Sequence, residues 1–72
     1  MDKDVKELRG HIDGLYEFVI TLMIMNARQG KVFASIADNI NAELAALLRA
    51  NATACETSAE ELQEMRKRLP PL

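Results

Sequence analysis

Residues 15–25 read LYEFVITLMIM, and nine of the eleven are apolar. Only Glu17 and Thr21 interrupt the run. An ordinary surface helix buries one stripe and keeps the opposite face polar. This stretch has no polar face to spare, so any fold containing it must cover it on more than one side. It is about half the ~20 residues needed to span a bilayer, which argues against a transmembrane helix.

The run sits inside a longer periodic segment. Val5, Leu8, Ile12, Leu15, Val19 and Leu22 recur in steps of three and four, a heptad seam whose next position is Asn26. Asp2, Asp4 and Glu7 come early and Arg28 late, the order that complements a helix dipole. The pattern predicts a first helix over about 2–29. Gly10 and Gly14 lie four apart within it, as tolerated surface glycines, as a site of close helix approach, or as a short break near Gly10. Gly30 follows Arg28 and Gln29 and precedes a new apolar series, so a turn is expected at 29–32.

From Lys31 to Leu69 there is neither glycine nor proline. Phe33, Ile36, Ile40, Leu44 and Leu47/Leu48 fall on one helical stripe, which predicts a second helix over about 33–54. Residues 51–58, NATACETS, mix helix-forming alanines with capping residues. Ser58-Ala59-Glu60-Glu61 matches a capping box. The slight preference is therefore for a bend near 53–57 and a C-terminal helix over about 58–69, although one continuous rod satisfies the same pattern. Pro70 and Pro71 stop any helix there.

Size bears on assembly. In a chain of 72 residues, apolar burial roughly balances an ordering cost of about 1.5 kcal/mol per residue. Small domains escape that balance through disulfides, metals or oligomerisation. Cys55 is the one cysteine and His11 the one histidine, so an internal disulfide and a His/Cys metal cage are both excluded. Oligomerisation remains. The fold expected is all-α: an antiparallel helical hairpin with a C-terminal helical extension, a single domain over 1–72, assembled as a dimeric four-helix-type bundle.

The greasy run supplies the interface. Leu15, Val19 and Leu22 are assigned to the contact within the hairpin. Tyr16, Ile20, Met23 and Ala27 form a second stripe spaced four, three, four, widened by Ile24. One partner helix cannot cover both stripes. The dimer interface is therefore assigned to Tyr16, Ile20, Met23 and Ile24, with a different protein or the C-terminal segment as the other possible covers.

The chemistry-bearing residues are sparse. There is no glycine-rich phosphate loop, no nucleophile elbow and no paired carboxylate–histidine motif. His11 reads as a surface histidine paired to a carboxylate, and Cys55 as inert packing. No catalytic, cofactor-binding or metal-binding residue is assigned, and the chain is not read as an enzyme. A net charge of −2 gives no general attraction to nucleic acid or anionic membrane. Arg66, Lys67 and Arg68 are the one basic concentration, and a helix C-terminus accounts for them.

Surfaces are then the chain's tools. The expectation is a small cytoplasmic, non-catalytic protein-binding protein, a regulator, inhibitor or adaptor acting as a homodimer. Its partner, besides a second copy, is another protein. With a turn at Gly30, hairpin partners have numbers summing to about sixty, and the C-terminal segment overhangs beyond about residue 58. That overhang offers Leu62, Met65, Arg66, Arg68 and Leu69 as a partner-binding stripe. A structured-RNA-binding dimer and a structural subunit of a larger assembly are the alternatives. The charged first residues, MDKDVKELRG, do not resemble a secretory leader, and a lone cysteine suits a reducing compartment.

Overall fold

The computed structural model describes residues 2–69. They form two helices, α1 (Asp2–Ala37) and α2 (Ala42–Lys67). Asp38 meets Arg49 near one end, and Asp13 meets Arg66 near the other, so the helices run antiparallel. The result is a hairpin measuring 58 × 16 × 10 Å, a long flat ribbon two helices wide.

The turn lies nine residues later than Gly30 suggests. α1 passes straight through Gly30, and residues 38–40 make the reversal. Asn41 then opens α2. Its backbone is extended (φ −154°, ψ 108°), and its Oδ1 accepts from the backbone N–H groups of Glu43 (2.9 Å) and Leu44 (3.1 Å). These are donors that the first turn of a helix leaves without partners. On the other side, the N–H groups of Ile40 and Asn41 donate to the Ala37 carbonyl. No described residue has a positive φ, so the turn requires no glycine. The cluster Asp38, Asn39, Ile40, Asn41 carries the turn chemistry instead.

Gly30 serves a different purpose. A Cβ placed on it would lie 3.2 Å from the Ala52 Cβ and 3.5 Å from the Leu48 carbonyl oxygen. Its missing side chain lets the two backbones approach. Around it, the seam between the helices is built from small residues. Ile20, Ala27, Ala34 and Ala37 are buried on α1, and Ala45, Ala52 and Ala59 on α2. The alanines of α2 are seven apart, as are Ile20, Ala27 and Ala34, so each set keeps facing its neighbour as the helices coil. Tyr16, Met23 and Gly30 line α1 beside them, and Leu48, Cys55 and Leu62 line α2, all half-buried.

α2 is one uninterrupted helix, and the bend near 53–57 does not occur. The capping box at Ser58 goes unused, because Ala52 and Ala59 both face α1 and hold a single register across it. Moving the turn also moves the pairing. Gly30 meets Ala52, Asp13 meets Arg66, and an Arg9 guanidinium N–H donates to the Leu69 carbonyl at 3.2 Å. The segment expected to overhang is thus paired with α1 from Arg9 to about Val19. Pro70 and Pro71 lie outside the described residues.

A candidate protein-interaction face

The two broad sides of the ribbon differ sharply. Lys31 pairs with Glu56, Asp38 with Arg49, and Arg66 lies 3.7 Å from Asp13, all on one side. Two shallow polar clefts open there, one lined by Lys31, Ser35, Arg49 and Thr53, the other by Asp13, Gln63, Arg66 and Lys67. The hydrogen bond and charge of Asp38 raise the Arg49 guanidinium above its ordinary value.

The other side is apolar. Because the ion-paired flanks of α1 and α2 meet on one side of the seam, their opposite flanks share the other side. On α1 that flank carries Val5, Leu8, Leu15, Val19, Leu22, Phe33 and Ile36, all exposed. Phe18, Met25 and Val32 extend it outward. On α2 it carries Leu44, Leu47 and Met65, also exposed. Leu15, Tyr16, Val19 and Leu62 line a shallow apolar groove at its centre line, where the helices adjoin.

The heptad seam read in α1 is therefore real, but it points out of the hairpin. It continues past Leu22 through Asn26, Gln29, Phe33 and Ile36 in unbroken steps of three and four. Leu15 on this row is 64% exposed, whereas Ile20 on the neighbouring row is 5% exposed. The stripe expected at a dimer interface lies inside the hairpin, and the stripe expected inside the hairpin is exposed. Tyr16, Ile20 and Met23 line the contact with α2, and Ile24 is half-buried at its edge. The reason is side-chain size: continued toward the turn, the Tyr16–Ile20–Met23–Ala27 row becomes Gly30, Ala34 and Ala37, which permit close packing. The large-residue row cannot approach α2 as closely and is left outside.

The expected C-terminal stripe divides. Leu62 and Leu69 are half-buried against α1, and Arg66 lies beside Asp13. Met65 and Arg68 are exposed. Lys67 lies 3.6 Å from Glu64, so part of the basic cluster is matched by acids. Cys55 is half-buried in the seam, level with the middle of α1 rather than with Val5, and His11 is exposed on the outer surface of α1. Among the described residues, no group of His, Cys, Asp or Glu side chains has the makings of a metal site, and no helix is long and apolar enough to cross a membrane. Comparison with protein-family models, with curated proteins and with solved structures returns no match.

Proposed function

We infer that this is a non-catalytic protein-binding protein that assembles through its apolar face as a homodimeric helical bundle and acts as a regulator or adaptor. The observation that carries the reading is the two-sidedness of the ribbon. One broad side is closed by ion pairs, and the other exposes a long row of Leu, Val, Ile and Phe broken at Asn26 and Gln29. Monomeric proteins rarely leave so long an apolar patch in water. Its dimensions give a broad side on the order of 900 Å², near the roughly 800 Å² per partner of a stable interface. Arg68, at the end far from the turn, is the part of the expected partner stripe that stays accessible for a target protein once the apolar face is covered.

Sedimentation tests the reading directly. The native chain should sediment at about twice its 8.0 kDa mass, and Leu22→Glu should halve that mass or prevent folding. A monodisperse, folded 8.0 kDa monomer at micromolar concentration would reject it.

A further inference from the structure

The α1 row of the apolar face has one polar interruption, and α2 places an amide at the same level. Asn26 and Gln29 occupy consecutive positions of the α1 row. Asn51 lies on the corresponding flank of α2. The contact of Gly30 with Ala52 and Leu48 sets these residues level with one another. All three are exposed. Polar residues at one level of an otherwise apolar seam fix register, because every shifted register buries amides against hydrocarbon.

We propose that the occupant of this face is a second copy of the chain, turned end for end, with Asn26 of each copy facing Gln29 of the other across the two-fold axis. This rests on the dimeric reading above and adds its geometry. With the amides matched, Leu22 faces the partner's Phe33, Val19 the partner's Ile36, and Leu15 the partner's Ile40. Sliding by one heptad sets Asn26 against Leu22. Sliding by two gives the fullest overlap of the α1 rows, but sets Asn26 against Leu15 and Gln29 against Ile12.

Side-chain volumes choose between the two ways of stacking the ribbons. The half of the face near the turn is bulky, with Phe33, Ile36, Leu44 and Leu47; the far half on α2 offers Ser58, Glu61 and Met65. Placing both turns at the same end stacks bulky on bulky and brings the two Glu61 side chains toward one core layer. Turning one copy end for end keeps Phe33 off the partner's Leu47 and holds the two Glu61 side chains apart, so the bulkiest layers are not stacked on one another. It also leaves the outer ends of both ribbons, including Val5, Leu8 and Arg68, projecting beyond the partner's turn.

One distance decides it. Asn39→Cys in a Cys55→Ser background places a spin label on the exposed turn, clear of the face. The proposed register separates the two labels by roughly 35 Å, from ~1.5 Å of rise per residue on either side of the axis. Doubling Asn26→Leu with Gln29→Leu should broaden that single distance into several. A separation under about 20 Å would mean turns at one end, and about 55 Å would mean the full-overlap register; either overturns the proposal while leaving the dimer intact. A monomer by sedimentation overturns the dimeric reading itself.

Discussion

At the scale of single residues, the three glycines separate cleanly. A Cβ at Gly10 or Gly14 would meet nothing within 4 Å, so the close approach considered for that pair does not exist. Gly10→Ala and Gly14→Ala should each stabilise the protein by about 0.5–1 kcal/mol through lost unfolded-state freedom and better helix propensity. Gly30→Ala should gain less, because its new methyl must share space with Ala52. Gly30→Leu should cost about 1–3 kcal/mol by forcing the helices apart. Thermal melts of the four variants check the order. Asn41 is the other decisive residue. Asn41→Ala removes the acceptor for two N–H groups and should cost about 1 kcal/mol. A denaturant midpoint unchanged by that substitution would show that the cap contributes nothing.

At the scale of elements, the question is why two signals pointed to the wrong boundaries. Both Gly30 and the Ser58 capping box have the chemistry of a helix end, and neither is one. A local signal states what a residue permits; packing decides whether that permission is used. Gly30 permits either a turn or a close contact, and the alanines around it make the close contact favourable. The same logic gives a test within α2. If Ser58 capped a third helix, Ser58→Ala would cost about 1 kcal/mol. In a continuous helix, alanine is the better helix former and the substitution should be neutral or slightly stabilising. The melt of this one variant distinguishes the two. The true turn was readable in principle, since Asp38, Asn39 and Asn41 cluster within four residues and Glu43 follows in the first turn of α2. The apolar series running through Ile36, Ile40 and Leu44 masked it, because those residues share a helical stripe whether or not a turn divides them.

At the scale of the whole molecule, the hairpin's own core is thin. Among the described residues its buried side chains are six alanines and Ile20, while most of its large aliphatic side chains lie exposed on the outer face. Most of the hydrophobic stabilisation available to the chain is thus realised only when that face is covered. The thermal midpoint should accordingly rise with protein concentration, as binding to the native state requires. A midpoint constant over a hundredfold dilution would mean that the face contributes nothing to folding. Two substitutions on neighbouring stripes should also fail differently. Ile20→Glu buries a charge inside the hairpin and should abolish the helical signal outright. Leu22→Glu places its charge on the outer face, where it should act on association first. Circular dichroism and sedimentation on the pair separate loss of fold from loss of partner.

Sequence alone determined that the chain is helical, that it doubles back, and that residues 15–25 carry two apolar stripes. These follow from period and composition, which are properties of local chemistry. Which stripe meets α2 was a matter for the tertiary structure. Interhelix distance depends on the smallest side chains along the whole shared seam, and those lie at Ala27, Gly30, Ala34 and Ala37, beyond the greasy run itself. Large apolar residues draw the eye as core, but small ones let helices pack closely, and so Tyr16, Ile20 and Met23 turn inward while Leu15 and Leu22 face out.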